Sequence, residues 1–188
     1  MKKMTVALAV GAMALVSGGA SAYAAPPAPE ASVDVAAQAE LGTTQAVPDA
    51  IKVPDGNKRI ATFKGDGVQI YGCTNGAWTF IQPAATLTRY GQPVAVHFAG
   101  PSFPRWESTK DGSLVGAKRL AGVDVPGAVA QLLLQAQENT GGPGTQFGTV
   151  TFVQRLNTRG GLAPSGACAA GAQVGVHYTA DYAFWVAN

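Results

Sequence analysis

From about residue 59 onward, apolar and polar positions alternate in short runs separated by glycine-bearing turns. "RIATFKG" is the first such run. "GVQIYGC" follows, with Val68 and Ile70 on one face and Gln69 and Tyr71 on the other. A period of two is the mark of a strand with two different faces. Asn75-Gly76 then supplies the dipeptide of a tight hairpin turn, in which both residues need positive φ. "AWTFIQ" is the return strand. "ATLTRYGQPVAVHFAG" reads as two further strands around Tyr90-Gly91, and "GPSFPRWES" reads as a loop broken by prolines. Asp111-Gly112 marks another turn before the strand "SLVGAKRL".

One segment departs from this period. In "DVPGAVAQLLLQAQENTGG", Val129, Leu132, Leu133 and Ala136 stand at i, i+3, i+4 and i+7. That spacing predicts an amphipathic helix of about three turns. Asp124 would cap it, Pro126 would occupy its first turn and Gly141 would end it. "TVTFVQRLNT" returns to strand character. The last segment, "QVGVHYTADYAFWV", puts Val174, Val176, Tyr178, Ala180, Tyr182, Phe184 and Val186 on one face, which belongs in a core. The fold predicted is mainly β: an antiparallel sandwich or barrel of about eight strands with one short amphipathic helix.

The amino terminus follows a different rule. Lys2 and Lys3 precede a short apolar run that ends in small residues at Ala22 and Ala24. This is the layout of a secretory signal peptide over 1–24; a cut after Ala24 fits, and one after Ala22 fits nearly as well. The run is shorter than the roughly 20 residues of a membrane span. The stretch 25–47, rich in Ala and Pro, lacks core-forming alternation and reads as a disordered leader. One β-rich domain is expected over 48–188, in a secreted protein with no membrane attachment after cleavage.

Charge then narrows the partners. The chain has 13 Lys+Arg and 11 Asp+Glu, and losing Lys2 and Lys3 brings the basic count to 11. A near-neutral domain carries no electrostatic footprint for nucleic acid. Cys73 and Cys168 are the two cysteines, and an even pair in an exported chain predicts a disulfide. The stretch "RLNTRGGLAPSGACAAG", from Arg155 to Gly171, therefore reads first as a stapled corner between two strands. Gly160-Gly161 allows its turn and Cys168 ties it to the first hairpin.

No "GxSxG" elbow, P-loop or "GxGxxG" fingerprint occurs, and Ser102 between prolines makes no nucleophile elbow. Two distant histidines and two distant cysteines make no metal pattern, so no metal and no cofactor are expected. His97 alternates with Val96 and Phe98 and so lies on the face opposite them. His177 and Asp181 share a strand face about 13 Å apart, too far to pair. Trp106, in the Pro-flanked loop, is the aromatic best suited to a ligand surface.

"GVQIYGC", Trp78, Pro83, "HFAGP", "DGS", "LLL", "VQRLNTRGGLAP", Cys168 and "YTADYAF" occur in this order. In them the chain, over about Pro48 to Phe184, resembles a family of secreted bacterial and fungal proteins known as a domain of unknown function. The resemblance implies export, a compact domain and no established activity. Family members often have Trp directly after the Gly-Pro and Pro-Trp before the leucines. Here Phe103 follows Gly100-Pro101-Ser102, and "PGAVAQ" precedes Leu132.

The expected function is binding of an extracellular glycan or small organic ligand by His97, Arg105, Trp106, Arg155 and Asn157. The loop would bring the first three. Arg155 and Asn157 would add a charged fork and an amide. Two rival readings are an extracellular enzyme using a polar cluster from His97, Asp111, Arg155, Asn157, His177 and Asp181, and a structural protein of the cell surface.

Overall fold

The computed structural model describes residues 46–188, so the signal-peptide reading and nearly all of the leader lie outside the described residues. A short 3-10 turn, Asp49–Ile51, precedes eight strands. These are β1 (Asn57–Thr74), β2 (Ala77–Arg89), β3 (Gln92–Ala99), β4 (Pro104–Ser108), β5 (Leu114–Val125), β6 (Ala128–Thr140), β7 (Val150–Gly160) and β8 (Gln173–Ala187). All pairs are antiparallel and follow chain order, and β8 pairs with β1 from Asn57↔Ala187 to Gly72↔Gln173. The sheet thus closes into a barrel with no free edge.

The turns are the ones the dipeptides require. Thr74 pairs with Ala77 across Asn75-Gly76, and Arg89 with Gln92 across Tyr90-Gly91, with all four turn residues at positive φ. The inner wall carries Phe63, Leu87, Trp106, Val153, Tyr182 and Phe184, all buried. The core face expected for β8 is inward from Tyr178 to Phe184. Gly65 makes room for it: a Cβ there would come within 2.6 Å of the Tyr182 ring.

No α-helix occurs among the described residues, and the predicted one is strand β6. Pro126-Gly127 is a two-residue hairpin turn joining paired Val125 and Ala128, with Gly127 at φ 74. Proline at the first central position and glycine at the second suit a turn as well as proline suits a helix start. The helical spacing has a tertiary origin. Leu134 faces the barrel interior, whereas Leu133 packs outside against Ile51, Leu156 and Ala183. The 3-10 turn covers this outer face, and Gln154 Nε2 donates to the Ile51 carbonyl at 2.7 Å. A strand buried on both faces loses its alternation, and register shifts in β5–β6 and β6–β7 disturb it further.

The two ends of the barrel differ. At one end the β6–β7 loop folds Phe147 into the core, where its ring meets Phe184 at 4.6 Å between centroids. Asp111 and Ser113 hold this plug. Asp111 Oδ1 accepts from Ser113 Oγ at 2.6 Å, Asp111 Oδ2 accepts from the Gln146 amide at 2.9 Å, and Ser113 Oγ accepts from the Phe147 amide at 3.0 Å. These bonds hold the Asp111 carboxyl well below the usual carboxylate range. Ser113→Ala strands the Phe147 amide and should cost about 1–3 kcal/mol. A denaturant midpoint matching the parent's would show that the plug is held by Phe147 packing alone.

Candidate functional site

The other end carries the β1–β2 hairpin, the β3–β4 loop, the β5–β6 turn and the long β7–β8 connection. It opens into a cavity of about 610 Å³, within the size range of small-molecule sites. The stapled corner borders it. Cys73 and Cys168 are disulfide-bonded. The Cys168 amide donates to the Gly76 carbonyl at 3.1 Å and the Cys73 amide to the Ala172 carbonyl at 2.9 Å. Tyr71 Oη donates to the Gly161 carbonyl at 2.6 Å. The next residue, Leu162, is half exposed and lines the cavity.

Of the five residues expected to bind ligand, His97, Trp106 and Arg155 line this cavity. They reach it differently from the sequence reading. Pro104–Ser108 is strand β4, so Arg105 and Trp106 do not lie in a loop. Trp106 is not a surface residue; it is 1% exposed and faces the interior. His97 is inward too, at 3% exposed, while apolar Val96 faces out at 38%. The closed sheet inverts the usual rule here because an aromatic stack receives the imidazole. The His97 and Trp106 rings stack at 4.3 Å with planes 7° apart, and Tyr182 lies tilted 5.2 Å from His97.

Arg105 and Asn157 go elsewhere. Arg105 forms a bidentate pair with Glu138 through Nε and Nη2. Asn157, at φ 51 in a register shift of β7, donates from Nδ2 to Asp181 Oδ2 at 2.8 Å. Neither lines the cavity.

The polar cluster of the enzyme reading is not assembled either. Asp111 is in the plug at the far end. His177 Nε2 meets Asp66 Oδ1 at 3.1 Å with both side chains about 70% exposed. Asp181 pairs with Lys64 on the outside. Only His97 and Arg155 of that set share the cavity. Among the described residues, no group of three or more His, Cys, Asp or Glu side chains is placed to hold a metal ion.

The electrostatics of the cavity are one-sided. Among the described residues its lining includes Arg155 and Arg119 and no acidic side chain. Arg155 is partly buried on the inner face of β7, and its Nε donates to the Ala130 carbonyl at 3.0 Å. Among the described residues no carboxylate lies within 4 Å of Arg155. Its charge is felt at Tyr71, His97, Tyr178 and Tyr182. Burial nonetheless raises all three tyrosines, so they stay protonated.

Burial pushes the His97 imidazole down to about 3, against the opposing bond between Nδ1 and the Arg105 carbonyl at 2.9 Å. The carbonyl accepts, so Nδ1 carries the hydrogen and Nε2 keeps its lone pair. Because His97 stays neutral when folded but protonates when unfolded, the native state loses stability as pH falls below the unfolded value near 6.5. Between pH 6.5 and 4.5 the loss should be about 2–3 kcal/mol. Unfolding across that range should show it, and His97→Gln should flatten the profile. A parent profile already flat there would remove the buried neutral imidazole.

Sequence reasoning missed Gln69, which is 2% exposed and lines the cavity beside Tyr71. The alternation in "GVQIYGC" held the signal, but the polar face of that strand is the inward one. Two buried side-chain nitrogens here, Gln69 Nε2 and Trp106 Nε1, have no well-formed hydrogen bond among the described residues, although Gln69 lies beside Tyr178 Oη. Leaving a buried donor unpaired costs roughly 1–3 kcal/mol, and such costs gather at functional sites.

A family model described as a protein of unknown function, DUF3455, matches residues 88–186, more than half of the chain. This chain belongs to the DUF3455 family. The match spans β3 to β8 and the end of β2, so it includes His97, Trp106, Arg155 and Cys168. It begins after Gln69, Tyr71 and Cys73, inside the longer span of the resemblance noted above. No curated protein and no solved structure matches this DUF3455 chain.

Proposed function

We propose that this DUF3455 protein is exported and binds one small organic molecule in the open end of its barrel. The observation that carries the reading is an open cavity lined mostly by aromatic and aliphatic side chains, with the part-buried cation Arg155 that no carboxylate among the described residues balances. An eight-stranded barrel has room for a single small ligand. The signal-like amino terminus and the disulfide both favour an oxidising, extracellular setting. Among the described residues no helix is long and apolar enough to cross a membrane. The exposed positions of the strands include Lys64, Asp66, Lys118 and Arg159, and the core cluster packed inside is apolar and aromatic. That is the reverse of the arrangement in a membrane-spanning barrel.

A small organic molecule is favoured over a glycan. A hydroxyl-rich sugar brings a donor on every hydroxyl, and among the described residues the lining offers no acidic side chain to receive those donors. Phe80, Ile81 and Leu162 at the mouth suit a hydrocarbon.

The neutral fluorophore N-phenylnaphthylamine tests the reading. One saturable site per chain is expected. Ala99→Trp, which fills the exposed mouth, should weaken binding by roughly tenfold or more while the melting temperature holds. Absence of saturable fluorescence, or equal binding by Ala99→Trp, would end the proposal.

A further inference from the structure

The chemistry of the cavity also selects a class of ligand; this step rests on the cavity reading above. We infer that the ligand is an amphipathic monocarboxylate, with its carboxylate on Arg155 and its hydrocarbon body toward Phe80, Ile81 and Leu162. Arg155 has its Nε fixed on the Ala130 carbonyl, which holds the planar guanidinium in one orientation. Its guanidinium also lies beside Tyr182 Oη, and its terminal amino groups face no carboxylate among the described residues; a carboxylate received side by side is the geometry this fork matches best. Among the described residues the inner wall supplies no competing carboxylate.

The balance of charge argues for a single negative charge. Arg155 is the part-buried cation of the lining, Arg119 is exposed, and His97 is neutral. A dianion such as a phosphate monoester would leave one charge uncompensated among aromatic rings, where desolvation is costly. The neutral His97 accepts at Nε2 and so does not compete for the head group. At the mouth, Phe80 is 51% exposed, Ile81 46% and Leu162 47%. These side chains give the hydrocarbon body apolar surface to cover.

The test compares two ligands that share a tail. Decanoate and decanol compete against bound N-phenylnaphthylamine at neutral pH, where decanoate is ionised. Decanoate should displace the fluorophore at a concentration at least roughly tenfold lower than decanol, the scale of one charge-assisted contact. Arg155→Gln should abolish that preference, Arg155→Lys should keep part of it, and Lys118→Gln, on an exposed position outside the cavity lining, should leave it. Equal displacement by the two ligands in the parent protein overturns the inference without needing any variant. So does a preference that survives Arg155→Gln. Fluorophore binding without carboxylate preference leaves the cavity reading standing, whereas no binding of any probe removes both.

Discussion

Replacing Cys73 and Cys168 together by alanine should lower stability by about 4–5 kcal/mol. The two residues are 95 apart in sequence, and in the chain-entropy model a cross-link of that span removes this much freedom from the unfolded chain. The double variant avoids leaving a lone thiol. The bond also joins the β7–β8 connection, which has no strand structure between Gly161 and Ala172, to the first hairpin. That connection carries the Gly161 carbonyl bonded by Tyr71 and the Leu162 side chain at the cavity. The variant should therefore bind N-phenylnaphthylamine more weakly even where it is fully folded. Guanidinium unfolding and the fluorophore titration read the two effects separately. A stability loss under about 1 kcal/mol would assign the corner to its backbone hydrogen bonds, Cys168 to Gly76 and Cys73 to Ala172.

Trp106→Ala should cost about 3–5 kcal/mol, the range for emptying a large buried aromatic site. Its ring stacks on His97 and meets Tyr182 and Phe184 edge-on at 5.6 and 6.3 Å. The neighbouring walls are closed strands and have little freedom to collapse into the space. Trp106→Phe separates packing from polarity. It keeps most of the ring contact and deletes an indole N–H that has no partner among the described residues. Its cost should stay within about 1.5 kcal/mol, as for other swaps of similar shape. If Trp106→Phe is as damaging as Trp106→Ala, the indole N–H has a partner within the protein. Unfolding curves of the two variants side by side decide this.

The local grammar of the chain was legible where one face meets water and the other meets the core. Asn75-Gly76 and Tyr90-Gly91 announced hairpins because only certain residues tolerate positive φ. The face of β8 that holds Tyr178, Tyr182 and Phe184 was legible because its alternation is intact. Leu132 and Leu133 were misread for the opposite reason. Burial on both sides of β6 removed the contrast on which a period of two depends, and Pro126-Gly127 satisfies a turn and a helix start equally well.

For the site, residue type was a better guide than location. His97, Trp106 and Arg155 could be picked out as polar or aromatic groups suited to a ligand, but Trp106 and Arg105 were taken for loop residues. A five-residue strand that begins at Pro104, shortly after Pro101, and ends before the turn at Asp111 is too short a run to show alternation. Arg105 and Asn157 were claimed by Glu138 and Asp181, partners 33 and 24 residues away. Gln69 was passed over because a glutamine on a strand reads as a surface residue.

The amino-acid sequence by itself determined the β class, the turns, the cysteine pair as a bridge, and membership of DUF3455 through its motifs. Those properties rest on local backbone geometry, on counting, or on residues recognised in order. Tertiary structure alone decided that the sheet closes, which face of each strand points inward, and that His97, Trp106, Arg155 and Gln69 border one cavity while Asp111, His177 and Asp181 stay apart. Closure depends on β1 finding β8 more than a hundred residues away, and pairings over such distances leave no trace in a local pattern.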